Sequence, residues 1–330
     1  MLRAPLTVVC LLLAACNTPA PETRRETRPL MGTVVSVTAL GTNAASLRAA
    51  VDAAYAEMSR LSDMMNHYNP DSVVSAINNE AGKQAVPVPP ELMKVLHMAQ
   101  RISERSQGGF DITVGSIRGW RFNPQNPQIA APAAIAAQLP RVGFRGLLLN
   151  DTTGTAFLKT AGTRIDLGGI AKLPILHAGM RVLGEHGIRD AMIDGGGDIE
   201  AMGSNNGRPW RIGIRNAHHP ERLFGALAVS QGVVVSSGDY ERGFTRNGRH
   251  YHHILDPRTG YPTTGVNGVT LFADRMEAIN GMSAAVMVLG PEKGRALIEA
   301  TAGVSGIIFN ADGSVWMTAG FEKRIEKLAD

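Results

Sequence analysis

Cysteine is almost absent, with two residues in 330, at positions 10 and 16. A body without cysteine holds no disulfide, so its stability has to come from core packing. Beyond the N-terminal stretch no run is long and apolar enough to span a bilayer. The body also lacks a clustered Lys/Arg run. Half of the formal net charge of +4 comes from the first 28 residues, where four arginines stand against two glutamates. That distribution argues against a nucleic-acid binder, which needs a concentrated basic face. Neither a Walker A sequence nor a Rossmann G-x-G-x-x-G occurs. What remains is 44% hydrophobic and 19% charged, an ordinary globular composition with enough apolar residues for a substantial core.

The N-terminus has its own pattern. Met1-Leu2-Arg3 supplies a positive start, and a short apolar stretch closes on Leu13-Ala14-Ala15-Cys16. This reads as a secretory signal over residues 1–15, with no better-framed A-x-A site following. The Leu-Ala-Ala-Cys ending resembles the bacterial lipobox, which makes Cys16 the lipidated first residue of the mature chain. The expected location is a lipid anchor in the bacterial envelope, facing the periplasm. Residues 16–28, polar and carrying two prolines, read as a flexible tether, and 29–330 as one domain.

Within that domain, Val34–Leu40 alternates and is rich in Val and Thr, as a strand does. Asn43 opens a helix whose Leu47, Val51, Ala54, Met58 and Leu61 share one face. A second helix is expected from Glu91 to Arg105 and a third from Pro174 to Glu185. Strands are expected near 146–150, 155–166, 190–194, 210–215, 225–235, 250–255 and 267–272. Helices over 275–288 and 291–301 and strands near 304–309 and 314–317 close the chain. Hairpin-like strands interrupted by helices predict an α+β fold with antiparallel sheets and packed helices, in a single two-lobed domain.

Four segments carry an excess of Gly, Asp and polar residues. Gly108-Gly109-Phe110-Asp111-Ile112-Thr113 suits either a turn after a helix or the close approach of a ligand. Asp166-Leu167-Gly168-Gly169-Ile170-Ala171-Lys172 leads a strand through a Gly-Gly turn into a helix start, a natural anion site. Asp194-Gly195-Gly196-Gly197-Asp198 fits a bulged hairpin or a ligand loop. In the fourth segment, His250-Tyr251-His252-His253-Ile254-Leu255-Asp256-Pro257-Arg258-Thr259-Gly260, the histidines lack a third ligand at zinc spacing. Asp256 sits in a turn that fixes its carboxylate.

Taken in order these segments resemble the bacterial FAD:protein FMN transferases, the ApbE-like family. Met31-Gly32-Thr33, Tyr68-Asn69-Pro70-Asp71-Ser72 with Asn78, and Gly109-Phe110-Asp111 with Thr113 are similar to its opening blocks. Asp166–Lys172, Gly196-Gly197-Asp198, Trp210-Arg211, Ser237-Gly238-Asp239-Tyr240 and His253–Gly260 follow in the family's order. The resemblance covers about residues 30–320. It implies the family's α+β flavin transferase fold and its reaction. A Thr or Ser hydroxyl of a target flavoprotein attacks the FMN phosphorus of FAD, and AMP leaves. It also implies FAD and Mg²⁺ as cofactors, with His253 and Asp256 as catalytic residues. Met31, Tyr68, Gly109, Phe110, Asp111, Asp166, Lys172 and Ile254 are implied at the flavin nucleotide.

The chain departs from the family pattern at the metal. The family's Ala-Asp-Ala-Leu-Ser-Thr-Ala reads Ile279-Asn280-Gly281-Met282-Ser283-Ala284-Ala285 here. The resemblance implies the Ala171 carbonyl, Asn280 and Ala284 as metal positions, the last two without the family's Asp and Thr. His177 stands at a further Asp position. Glu277 shares a helical face with Asn280 and Ala284 and is a candidate substitute ligand. Two rival readings follow: a non-catalytic flavin binder with a lost metal site, and an FAD pyrophosphatase.

Overall fold

The computed structural model describes residues 22–327. The expected signal peptide and Cys16 lie outside the described residues. In chain order the elements begin β1 (Glu22–Leu30), β2 (Thr33–Gly41), α1 (Ala44–Met65), α2 (Val73–Asn79), β3 (Val86–Pro87) and α3 (Pro90–Arg105). Next come α4 (Pro132–Gln138), β4 (Leu147–Asn150), β5 (Thr155–Leu158), α5 (Lys172–Glu185), β6 (Asp190–Asp194), β7 (Ile199–Met202) and β8 (Trp210–Arg215). Then follow β9 (Leu223–Val229), β10 (Gly232–Gly238), β11 (Gly243–Arg246), β12 (Arg249–His252) and β13 (Val266–Ala273). The last are α6 (Met276–Ile279), α7 (Met282–Glu299), β14 (Val304–Asn310), β15 (Val315–Met317), α8 (Ala319–Glu322) and β16 (Ile325–Lys327).

An eight-stranded sheet, in the order β1-β2-β6-β7-β10-β13-β14-β15, divides the molecule. Its named pairings are antiparallel, as the α+β reading requires. One face buries the apolar stripe of α1 together with α5 and α7. Val51, Ala54 and Met58 are fully inaccessible there. The Asn43 side chain caps α1 by accepting from the Ser46 N–H at 2.9 Å. The opposite face packs on a second core around Trp210, Ile212, Leu227, Phe309 and Phe321, beneath the small sheet β16-β9-β8. Burial of each large side chain stabilises the fold by about 1.5–3 kcal/mol.

Several expectations are corrected. Residues 22–28 are not part of a tether: they form most of β1, paired with β2 over nine positions. The strand is polar, yet it is held by tertiary contacts. Glu26 bridges Arg24 and Arg28, and Arg28 also pairs with Asp52 of α1. The Tyr55 hydroxyl lies 2.9 and 2.8 Å from the Glu26 and Val35 carbonyls. The strand expected over 155–166 ends at Leu158, where the chain turns through Gly162 at φ +78°. The strand expected over 225–235 is two, β9 and β10, in different sheets. Gly232 divides them at φ +135°, and a Cβ there would meet the Ala273 carbonyl at 2.8 Å. The third helix starts at Lys172, two residues early, which leaves Pro174 in its first turn. The helix expected over 275–288 is two, α6 and α7, divided at Gly281, φ +76°, so Glu277 shares no continuous helical face with Asn280 and Ala284. The break expected before residue 291 is present at Gly290, φ +80°. The strand expected to reach residue 255 stops at His252.

Candidate active site

One end of the central sheet gathers the loaded segments. The two-residue turn of β1–β2 has both residues at positive φ, Met31 at 54° and Gly32 at 68°. That turn type favours Asn-Gly, so Met31 is held in a strained conformation, as residues at functional sites often are. The turn abuts the β6–β7 loop, because a Cβ on Gly196 would meet Thr33 Oγ1 at 2.4 Å. On the other side of that loop Asp198 reaches the start of α5. Its Oδ2 lies 3.0 Å from Lys172 Nζ. Burial pushes the Asp198 carboxyl upward, and Lys172 is the main influence pulling it back. The ammonium thus sits at a helix N-terminus beside exposed Gly168 and Gly169, where backbone N–H groups and helix dipole favour an anion. Sequence reasoning left Asp198 out of the site. Its only local signal is its place after three glycines.

His253 follows directly on β12. Its backbone N–H and its Nδ1 both face the Arg242 carbonyl, at 3.1 and 3.3 Å. A carbonyl only accepts, so Nδ1 carries the proton and Nε2 offers a lone pair. Burial first, then the neighbouring Arg242 and His252, push its pKa down to about 3, with Lys172 a minor influence. The imidazole is therefore neutral at physiological pH and is a proton acceptor. His252 differs: it is buried, and its Nε2 donates to the Thr263 carbonyl at 3.0 Å.

Asp166 lies at the rim. Its backbone N–H donates to the Ile112 carbonyl, and its Oδ1 accepts from the Gly168 N–H at 2.8 Å and lies 3.4 Å from His67 Nδ1. Asn78 holds the neighbouring Ile165 backbone through both its amide atoms. Tyr68, 83% exposed, stands with its ring 3.9 Å from His67 and presents an aromatic face to solvent. Ile254 is half-buried against the main core, and its carbonyl accepts from Thr263.

Other expected ligand contacts point inward. The buried Asp111 carboxylate accepts from the Thr113 N–H (2.8 Å), the Thr113 hydroxyl (2.6 Å) and the Phe144 N–H (2.7 Å). It ties the 111–113 turn to residue 144. Phe110 is buried beneath the Gly-Gly turn, its ring 3.1 Å from where a Gly169 Cβ would stand. Gly109 makes room for Leu289. Asp256 is held by Arg258, accepting from Nε and Nη2 at 2.8 Å and from its backbone N–H at 2.9 Å. It fixes the rim of an open cleft of about 590 Å³ lined by Arg249, Arg258, Tyr261, Val288 and Leu289. Asp111→Ala is expected to cost about 3 kcal/mol, because it strands buried donors. Denaturant unfolding reads that loss, and FAD affinity of the folded fraction stays unchanged.

The metal positions do not compose a magnesium site. Among the described residues no group of three or more His, Cys, Asp or Glu is placed to hold an ion. Asn280 is buried next to Ala171, but its Nδ2 donates to the Ile170 carbonyl at 3.0 Å. The atom facing that oxygen has to be a donor, so the amide sits where a carboxylate would need a cation between. The Ala171 carbonyl accepts from Ile175 N–H inside α5, and Ala284 has no side-chain oxygen. Glu277 is half-exposed, 3.5 Å from Arg275 Nε, and close enough to His177 to favour its charged form. His177 itself pairs with Glu200 at 2.8 Å. Asn280→Asp should therefore lower stability by about 1–3 kcal/mol in EDTA. Millimolar Mg²⁺ should restore part of that loss, read by thermal melting with and without the ion.

The model of the ApbE family matches residues 31–308. An FAD:protein FMN transferase of Treponema pallidum is 32% identical over 302 residues, covering 86% of this chain and 83% of the relative. One from Klebsiella pneumoniae is 28% identical over 97% of this chain and 96% of its own. The crystal structure of the ApbE protein from Thermotoga maritima superposes with a TM-score of 0.84 at 27% identity, covering 93% of this chain and all of that one. The apo flavinyl transferase ApbE of Pseudomonas stutzeri superposes with a TM-score of 0.79 at 26% identity, over 92% of this chain and 97% of its own. With the match running through every segment at the sheet end, the chain belongs to the ApbE family.

Proposed function

We propose that this protein binds FAD and transfers its FMN half to a Thr or Ser hydroxyl of a flavoprotein, releasing AMP. The observation that carries the reading is the convergence of Lys172, the α5 N-terminus and the neutral His253 at one sheet end. Lys172 and the helix N–H groups suit the pyrophosphate anion. His253 Nε2 takes the hydroxyl proton as the oxygen attacks the FMN phosphorus. A P–O bond to the acceptor forms, the P–O bond to AMP breaks, and its electron pair leaves on the AMP phosphate. The described donor set does not fit Mg²⁺.

Product analysis tests the reading. Incubation with FAD and acceptor should yield AMP with no free FMN. Free FMN together with AMP identifies the pyrophosphatase. The amide at Asn280 and the alanine at 284 favour one other alternative, a flavin binder without turnover. Bound FAD with neither product identifies that case.

We further propose attachment to the bacterial envelope through lipidated Cys16, with the domain in the periplasm. The Leu-Ala-Ala-Cys ending and the cysteine-free body support this reading. Cys16→Ser should move the protein from the membrane fraction to the soluble envelope fraction or leave it unprocessed. Lipid label retained by that variant contradicts the anchor.

A further inference from the structure

The hairpin of β11 and β12 pairs with no other strand among the described residues, so both its edges are open. It is nevertheless stiff. Asn247 and Gly248 close it at φ 51° and 73°, a two-residue turn that matches strand twist. Phe244 and Tyr251 stack across it at 5.4 Å, and Tyr251 meets Trp120 of the 117–131 loop at 5.9 Å. At its tip Arg249 lays its guanidinium over the Tyr251 ring, 5.1 Å from the centroid, and faces a second arginine. Arg246 and Arg249 are direct cross-strand partners, and both are exposed. Like charges in that position destabilise a hairpin. Among the described residues neither arginine forms an ion pair. Arg242, also exposed, stands on the hairpin's base side. The nearby acids are at the base as well: Glu241, and Asp239, whose carboxylate accepts from Asn267. Arg246 and Arg249, three positions apart in the sequence, are set side by side when the hairpin folds back.

The position of the cluster gives it a partner. Arg249 also lines the 590 Å³ cleft, together with Arg258 and Tyr261. From Arg249 the strand leads straight to His253, about 13 Å of extended chain. We infer that this hairpin docks an extended, acidic segment of the acceptor protein and delivers its hydroxyl to His253. Open strand edges supply main-chain hydrogen bonds to such a segment, and the arginine pair selects for acidic residues flanking the hydroxyl. The inference rests on the transferase reading above.

The test uses the full chain with FAD and a short peptide carrying a central threonine flanked by aspartates. A counterpart peptide has asparagine at every aspartate. Arg246→Glu combined with Arg249→Glu should raise KM for the aspartate peptide about tenfold or more. FAD affinity should stay at the wild-type value, which excludes misfolding, and the melting temperature should fall only slightly, by the loss of the Arg249–Tyr251 contact. Wild-type KM should rise as sodium chloride goes from about 50 to about 300 mM, and the variant should lose that dependence. The asparagine peptide should be poor with wild type and indifferent to the variant. An unchanged KM for the aspartate peptide in the variant overturns the docking role and leaves the transferase reading intact. So does loss of binding to phosphatidylglycerol vesicles at unchanged peptide KM, which assigns the arginines to the membrane. Failure of the wild type to label any hydroxyl acceptor overturns the transferase reading, and the docking role with it.

Discussion

Lys172→Met is expected to lower FMN transfer by about 10²–10³-fold, the usual effect of removing one preorganised electrostatic contact to the transferring group. The substitution has a second consequence. Asp198 is mostly shielded from solvent and loses the cation that draws its carboxyl down. Stranding one member of a buried pair costs about 3–5 kcal/mol, and protonation of Asp198 limits that loss. The sign is defined. A carboxyl raised by burial destabilises the fold above its unfolded pKa, and the penalty fades as pH falls through the folded value. Lys172→Met should therefore be closest to wild-type stability in acid and furthest from it at neutral and alkaline pH. Adding Asp198→Asn should restore stability without restoring transfer. If the double variant transfers FMN at the wild-type rate, the ammonium has no part in the chemistry.

His253→Ala should reduce kcat by about 10²–10⁴-fold, in the range for loss of a general base, with FAD affinity unchanged. Its folded pKa of about 3 lies below the ordinary 6.5. Between those values the unfolded chain takes a proton that the folded ring refuses, so His253 costs stability as pH falls below 6.5. The alanine variant should hold its melting temperature better than wild type toward about pH 4. For the free enzyme, kcat/KM for FAD should show no inflection from this residue near pH 6.5. A His253→Ala variant with unimpaired kcat removes His253 from the proton path.

What the sequence made legible was local. The stripe from Leu47 to Leu61 and the Asn43 cap specify α1 without reference to anything distant. The glycine-rich blocks announced themselves, and they do meet at one sheet end. Strand β1 escaped because its Arg and Glu residues have the composition of a tether. Its order comes from Tyr55 and Asp52, which lie on a helix later in the chain. The direction in which side chains point was equally hidden. Asp111 turns inward because the Phe144 N–H waits 33 residues away, and Phe110 because Gly169 and Gly281 close over it. Asp198 gained its role from Lys172, a partner 26 positions upstream. At Asn280 the substitution was visible in the sequence. Its use as a hydrogen-bond donor to Ile170 was not, since that depends on where the 168–171 turn lies.

The most direct test of the account is the intact mass of a flavoprotein acceptor after incubation with this protein and FAD. The account predicts one FMN added per acceptor at a Thr or Ser hydroxyl, an equal amount of AMP, and no addition when that hydroxyl residue is replaced by alanine. An acceptor of unchanged mass, with FAD intact or cleaved to free FMN and AMP, contradicts it.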